Sequence, residues 1–182
     1  LYDKLDTWVQ KKDIRKSEII EHPSYVNELA HYIMQDLKEF RKIQGDDTLG
    51  GMVICETSEQ ARRLYDVFQE EWQKYQPKPI KDYKSKYRPL KAGIILHDTD
   101  DKETRKQTVK DFKKNMTVDI LIVFNMLLTG FDAPRLKRLY FGRKLKDHNL
   151  LQAITRVNRP YPGMRYGFVI DFADIKRNFK ET

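Results

Sequence analysis

The sequence predicts an α/β fold, a doubly wound and mostly parallel sheet that follows an N-terminal helical extension. Short apolar runs rich in β-branched residues alternate along the chain with stretches whose apolar residues have helical spacing. Such alternation is typical of parallel sheets covered by helices. Residues 120–124 are apolar throughout, which indicates a strand covered on both faces.

Length and composition set the limits of this prediction. The chain has 182 residues, of which 40% are hydrophobic, so it can bury a substantial core as one domain with extensions. We predict a helical connector over residues 1–44 and one α/β lobe over residues 45–182. Because the chain starts at Leu1 without methionine, we interpret it as a piece of a longer protein.

The charge and the cysteine count restrict the partners and the compartment. The 35 Lys and Arg residues exceed the 27 Asp and Glu residues, and the net charge of +8 suits a polyanionic partner. The single cysteine, Cys55, excludes an internal disulfide and fits a reducing, cytoplasmic location. Since no apolar run approaches the roughly 20 residues of a membrane span, we expect no membrane partner.

The first half of the chain contains two predicted helices and one strand. Apolar residues keep helical spacing from Ser24 until Gly45 ends the helix, and a short strand follows at residues 52–55. Thr57 and Ser58 can then cap a second helix. Its predicted inward face comprises Ala61, Leu64, Tyr65, Phe68 and Trp72.

The segment at residues 74–91 interrupts both helical and strand periodicity because it contains three prolines. Lysines and arginines alternate there with tyrosines. Two interpretations stay open: a solvated linker with partly packed tyrosines, or a segment that grips phosphates and stacks on bases.

The second half supplies the remaining strands. Residues 92–96 form a strand, residues 102–114 a helix with Val109 and Phe112 inward, and residues 136–141 and 167–171 the last two strands. The prediction is therefore a sheet of about five strands.

The most informative stretch, residues 119–160, joins a buried strand, a glycine-acid turn and an arginine-rich helix. The turn at residues 129–134 follows the strand at its carboxyl end, where ligands of open parallel sheets gather. A helix starting near Asp147 would turn one side inward and a polar stripe outward. The inward side comprises Leu150, Leu151, Ile154 and Val157, and the stripe comprises Gln152, Arg156 and Arg159.

Two arginines on one stripe indicate an anionic ligand, because guanidinium is permanently charged and its planar fork matches phosphate. The alternative is a solvated basic face. Bases are also concentrated around this stretch and are opposed only by Asp147. They are Arg135, Lys137, Arg138, Arg143, Lys144, Lys146, Arg156, Arg159 and Arg165.

These motifs resemble a known family of motors. The T-G-F-D-A-P turn and the Q-A-x-x-R-x-N-R helix are similar to motifs V and VI in the second, RecA-like motor lobe of superfamily-two helicases and translocases. The pattern is most similar to the R subunit of type I restriction enzymes. Thr155 and Asn158 stand where ordinary helicases usually carry glycine. The resemblance extends from about residue 51 to about residue 171.

The resemblance implies roles for named residues. Arg156 and Arg159 would be catalytic arginine fingers that neutralise charge on the γ-phosphoryl group of ATP. Gly130, Asp132 and Gln152 would bind the nucleotide, and Asp132 would fix either the ribose or the arginine helix. The DNA backbone would be contacted by Thr57, Ser58, His97 and Thr129. For Thr57 and Ser58, helix capping remains the alternative.

The sequence supplies only half of an ATP site. It contains no G-x-x-x-x-G-K-[ST] phosphate cradle, no convincing acidic magnesium motif and no His/Cys cluster with zinc spacing. We therefore expect ATP and Mg²⁺ to be held mainly by a first motor lobe, and the isolated chain not to hydrolyse ATP.

The resemblance also implies partners: double-stranded DNA, the first motor lobe and nuclease domain of the same polypeptide, and the methyltransferase and specificity subunits. Two other functions stay open. One is the C-terminal lobe of another superfamily-two DNA or RNA helicase. The other is a DNA-binding module without catalysis.

Overall fold

The computed structural model describes residues 16–74, 88–96, 101–124, 131–143 and 147–172. Most of the predicted proline-rich segment at residues 74–91 lies outside the described residues. So do three predicted site residues, His97, Thr129 and Gly130.

Helices and strands alternate along the described chain, as predicted. The helices are α1 (Lys16–Ile20), α2 (Pro23–Gln44), α3 (Ser58–Lys74), α4 (Lys102–Lys110), which continues into a π-helical turn (Asp111–Asn115), and α5 (Asp147–Val157). The strands are β1 (Gly50–Cys55), β2 (Ala92–Leu96), β3 (Ile120–Phe124), β4 (Leu136–Phe141) and β5 (Phe168–Asp171).

The five strands form one sheet in the order β2-β3-β1-β4-β5, and every pairing in it is parallel. The predicted α/β class is confirmed. Parallel strands need crossover connections, and the intervening helices supply them on both faces of the sheet.

Each face of the sheet has its own apolar core. On one face, α2 and α3 pack against Val53, Ile120, Ile122 and Tyr140, which lie on the central strands. On the other face, α5 and the π-helical turn pack against residues of alternate parity, among them Leu121, Val123 and Leu139. This alternation explains why β3 is apolar at every position.

Helix α2 ends as the sequence predicts. Gly45 adopts the left-handed conformation with φ of 66°, and its N–H points to the carbonyls of Arg41 and Lys42. A side chain is disfavoured in this conformation, so glycine stops the helix at low cost. The helix predicted at residues 102–114 also forms, but its last turn is π-helical and carries Phe112 into complete burial.

The inward face of α5 differs from the prediction at one position. Leu150, Ala153 and Val157 are buried, whereas Leu151 is 58% exposed, so its predicted inward position is wrong. The buried residues have the spacing i, i+3 and i+7, which places them on one side of the helix. Helix α5 also ends at Val157, so Arg159 lies beyond the helix and not on its stripe.

Strand β4 carries a β-bulge near its start. Gly50 of β1 pairs with Leu136 and Gly51 pairs with Arg138, which leaves Lys137 as the extra residue. Gly50 fits here because a Cβ would lie 2.4 Å from Cζ of Phe112. Bulges of this kind redirect a side chain locally.

Candidate functional site

The predicted arginines and the acidic turn lie together at the amino-terminal end of β4. Helix α5 follows the carboxyl end of β4 and runs back along the sheet, so its last residue, Val157, lies beside Lys137 near the start of the strand. Phe131 and Asp132 lie just before β4 and contact Arg156 and Arg159 near the end of α5. The turn was predicted to follow the carboxyl end of β3, but its described residues and both arginines lie near the start of β4, because α5 runs back along the sheet before it ends.

The turn holds both arginines. One guanidinium nitrogen of Arg156 donates to the carbonyl oxygen of Phe131 at 2.6 Å. A guanidinium nitrogen of Arg159 lies 3.0 Å from a carboxylate oxygen of Asp132, and these side chains are 43% and 51% exposed. The structure thus joins the glycine-acid turn to the arginine helix through two neighbouring residues. Arg156 is partly buried and Arg159 reaches solvent.

Lys137 contacts the end of α5 from strand β4 and is completely buried. Its ammonium donates to the carbonyl oxygen of Val157 at 3.3 Å and to that of Arg159. Burial lowers the pKa of Lys137 because it penalises the charged form. The C-terminal carbonyls of a helix carry partial negative charge, so they are suitable partners for a buried cation.

The chain after α5 closes over the helix terminus. The backbone N–H of Gly167 donates to the side-chain oxygen of Asn158 at 3.3 Å. A Cβ at Gly167 would lie 2.4 Å from both Cβ and the carbonyl oxygen of Val157. The end of α5 is therefore enclosed between the starts of β4 and β5, and position 167 has no room for a side chain.

The turn residue Phe131 is anchored in the core. Phe131 is 5% exposed, and its ring centroid lies 6.0 Å from that of Phe112. The guanidinium carbon of Arg135 lies 4.6 Å from the centroid of the Phe112 ring. Arg135 also donates to the carbonyls of Thr48, Phe112 and Val118. The backbone that receives Arg156 is thus fixed by an aromatic pair and a buried guanidinium.

Three of the bases counted toward the ligand surface have structural roles instead. Arg135 and Lys137 are buried, and Arg138 forms an ion pair with Asp36 at 2.6 Å. Burial, with a smaller contribution from the nearby charge of Arg41, lowers the pKa of Arg135 to about 10. The local excess of charge in the sequence therefore overstates the charge available to a ligand.

Thr57 and Ser58 lie at the other end of the sheet, where β1 leads into α3. The Thr57 hydroxyl accepts from the backbone N–H of Gln60 at 3.0 Å, which is helix capping. The Gln60 side chain in turn accepts from the N–H of Glu56 at 2.9 Å. Capping by Thr57 is thus seen directly, and a phosphate contact at this helix start remains a prediction.

The remaining predicted residues are only partly described. Gln152 is partly buried on α5 and its carbonyl accepts from the Thr155 hydroxyl at 2.8 Å. Among the described residues, no group of three or more His, Cys, Asp or Glu side chains could hold a metal ion. The described part of the site is therefore a cationic surface formed by arginines.

Sequence reasoning missed Lys137 as a supporting residue. The available signal was a lysine inside LKRLYF, an otherwise mostly apolar strand. A buried lysine needs hydrogen-bond acceptors, but its acceptors lie twenty or more residues later, at the end of α5.

Comparison with known proteins identifies the family. The family described as type I restriction enzyme subunit R, domain 3, matches residues 24–174. The chain belongs to this family. As an R-subunit domain, it has the helicase-like fold that the turn and the arginine helix indicated.

Longer relatives contain this R-subunit domain. A putative type I restriction enzyme endonuclease subunit, MjaVIIIP, from Methanocaldococcus jannaschii is 30% identical over 199 residues, which cover 96% of this chain and 18% of that protein. The MjaVIIP endonuclease subunit of the same organism is 48% identical over 73 residues, which cover 40% of this chain and 7% of that protein. The R-subunit domain thus spans less than a fifth of either relative.

Solved structures show the same fold. The second domain of the DEAD-box helicase Mss116p, bound to an RNA duplex, has a TM-score of 0.56 at 16% identity, covering 86% of this chain and 53% of that one. The Hef helicase domain of Pyrococcus furiosus has a TM-score of 0.51 at 15% identity, covering 82% and 28%. Within the described part of the R-subunit domain, no helix is long and apolar enough to cross a bilayer.

Proposed function

We propose that this chain is the second motor lobe of an ATP-dependent translocase of double-stranded DNA, within the R subunit of a type I restriction endonuclease. The observation that carries the proposal is the pair of arginines held on the turn before β4. Arg156 is bonded to Phe131 and Arg159 to Asp132, so both guanidiniums are fixed next to each other.

This arrangement fits a polyphosphate. Guanidinium groups bind phosphate oxygens through paired, charge-assisted hydrogen bonds. Arg159 is 43% exposed and can reach a ligand, and Asp132 is the one described carboxylate that opposes it. When a phosphate displaces that carboxylate, Arg159 exchanges one anionic partner for another. In this proposal Asp132 orients Arg159 until the phosphate binds.

In this proposal the chain supplies one half of an ATP site, and each residue of that half has its own role. ATP supplies the transferable phosphoryl group, and Arg156 and Arg159 neutralise the charge that develops on it. Gln152 and Gly130 contact the nucleotide. Magnesium does not fit the described residues, since they offer no acidic cluster, so a first motor lobe with a phosphate cradle holds it.

In this proposal the start of α3, at the opposite end of the sheet, faces the DNA. Thr57 and Ser58 lie at the start of α3, where backbone N–H groups favour an anion, and Thr129 and His97 contact the DNA backbone by family resemblance. Opening and closing of the cleft between two lobes moves the protein along DNA.

The wider assignment rests on the relatives. Their names describe endonuclease subunits of type I restriction enzymes. We propose a cytoplasmic protein with a nuclease domain and a first motor lobe in the same polypeptide, which assembles with methyltransferase and specificity subunits. The isolated chain is inactive as an ATPase because it has arginines but no phosphate cradle.

The test is Arg156→Ala in the full-length subunit. We expect kcat of the DNA-stimulated ATPase to fall on the order of 10³-fold or more, with the fold intact, because Arg156 fills no core cavity. Arg156→Lys restores little activity, since a point charge does not reproduce the planar fork. Arg165→Ala is the control, because Arg165 is exposed and lies outside the helix.

Two results would overturn the proposal. The first is near-normal DNA-stimulated ATPase in Arg156→Ala when circular dichroism shows an intact fold. The second is binding of DNA that is independent of ATP and unchanged by the loss of both arginines, which supports a binding module without catalysis.

A further inference from the structure

Lys137 is a buried cation bonded to the backbone segment that carries the two arginines. Its ammonium is fully buried and contacts the last carbonyl of α5 and the carbonyl of Arg159. We propose that Lys137 is a positioning residue, which sets both arginines by fixing the backbone from which they project. This inference rests on the proposed function and deepens it.

The β-bulge places two successive residues, Leu136 and Lys137, on the α5 face of β4. Without the extra residue, β4 would keep a regular alternation from Leu136 onward. The register shift opposite Gly50 and Gly51 makes Lys137 the unpaired residue of the strand, and its side chain points to the α5 face. Arg138, the next residue, points to the α2 face and pairs with Asp36. Regular alternation from Lys137 onward therefore places the two neighbouring cations on opposite faces, and the bulge adds Leu136 to the α5 face beside Lys137.

The partners of Lys137 are backbone atoms of the arginine segment. The carbonyl of Val157 ends α5 immediately after Arg156, and the second carbonyl belongs to Arg159 itself. Bonds from an ammonium to such carbonyls are charge-assisted and are favoured further by the negative end of the helix. One cation thus fixes the backbone on both sides of residue 158.

The side chains of the arginines are fixed separately by the turn. Arg159 is held at its backbone by Lys137 and at its guanidinium by Asp132. Arg156 is held at its guanidinium by Phe131, and the carbonyl after it is held by Lys137. Gly167 closes the remaining side, where a Cβ would meet the Val157 carbonyl at 2.4 Å. Loss of Lys137 releases the backbone constraint and leaves the side-chain bonds in place.

A purely structural role makes a different prediction. If Lys137 only satisfied helix carbonyls, its loss would lower stability and leave turnover of the folded protein unchanged. Positioning instead predicts a loss of turnover in folded protein, because small displacements of catalytic groups cost rate. Arg138→Met is the matched control. It removes a neighbouring, mostly buried cation of the same strand that faces away from α5.

The experiment uses the full-length R subunit with duplex DNA and compares Lys137→Met, Lys137→Gln and Arg138→Met below their unfolding transitions. For Lys137→Met we expect kcat of the ATPase to fall by at least about tenfold, with KM for ATP within about twofold. Lys137→Gln keeps a donor and recovers part of kcat. Arg138→Met unfolds at a lower urea concentration than the wild type but keeps kcat within about twofold of the wild-type value.

The inference is overturned if folded Lys137→Met keeps kcat within about twofold of the wild type, or if Arg138→Met loses as much kcat as Lys137→Met. If Lys137→Met does not fold, Lys137→Gln is judged by the same limit. Arg156→Ala is measured in parallel. Full activity in both Arg156→Ala and the Lys137 variant rejects the proposed function itself, whereas full activity in the Lys137 variant alone rejects only this inference.

Discussion

The two faces of β4 treat neighbouring cations in different ways. On the α2 face, Arg138 makes two hydrogen bonds to Asp36 at 2.8 and 2.6 Å and lies over the rings of Phe40 and Phe168. On the α5 face, Lys137 bonds to backbone carbonyls. Arg138 is thus neutralised by a carboxylate on the α2 face, whereas Lys137 is held by backbone carbonyls on the α5 face.

The pKa values follow the same division. Burial alone would lower the pKa of Arg138, but the hydrogen bonds and charge of Asp36 outweigh burial and raise it. Burial lowers the pKa of Lys137, and no carboxylate within the described residues offsets this effect. Burial and then Asp36 also raise the pKa of Tyr140, whose hydroxyl donates to Asp36 at 2.7 Å. The ion pair of Arg138 therefore stabilises the fold, whereas the bonds of Lys137 hold the backbone that carries the two arginines.

The largest effect on stability is expected from Asp36→Ala, which breaks the α2 face. It leaves Arg138 mostly buried without its carboxylate and the Tyr140 hydroxyl without its acceptor. We expect a loss of about 3 kcal/mol in the free energy of unfolding, measured by urea denaturation. Asp66→Ala is the control because Asp66 is exposed. A loss below about 1 kcal/mol would show that the pair is not structural.

Asp132→Asn removes the ion pair with Arg159 and is expected to lower stability less than Asp36→Ala. The ion pair with Arg159 is about half exposed, so we expect a stability change within about 1 kcal/mol. Turnover of the full-length subunit should fall on the order of tenfold because Arg159 loses its orientation. Glu59→Gln is the matched control, since its pair with Arg63 has side chains that are 48% and 41% exposed. Equal ATPase in both variants would contradict a role for the Asp132 pair.

The smallest effect is expected in the reactivity of Cys55, whose thiol is buried in the core on the α2 face. Burial raises the pKa of the Cys55 thiol to about 12, so little reactive thiolate forms at pH 8, and more forms only as the pH approaches that value. The native chain should therefore not react with a thiol reagent at pH 8 and should react once unfolded in urea. Because the chain has one cysteine, the signal has one source. Rapid reaction of the native chain would show that this face opens.

Much of the fold could be predicted because its signals are local. The apolar run of β3 and the helical spacing of α2 are set by which faces are covered, so they appear directly in the sequence. The start of α5 near Asp147 was also predictable, because aspartate is a favoured residue at helix starts. These elements needed no knowledge of the rest of the chain.

The site was less predictable because its partners are distant. Arg138 counts as a surface base until Asp36, which lies 102 residues earlier, is placed beside it. Leu136 and Lys137 share the α5 face because β4 bulges against β1, and a register shift is a property of two strands together. The glycine-acid turn and the two arginines were visible in sequence, but their joint placement before β4 required the path of α5.

The β-bulge at Lys137 also has a mechanical consequence. In the proposed motor, a force on the arginines has to be transmitted to the rest of the lobe. Lys137 connects the end of α5 to β4, which lies between β1 and β5 in the sheet. A load applied at the arginine segment thus passes through backbone-directed bonds into the interior of the sheet and is shared by neighbouring strands. Because Lys137 binds carbonyl oxygens, this load path does not depend on which side chains occupy positions 157 and 159.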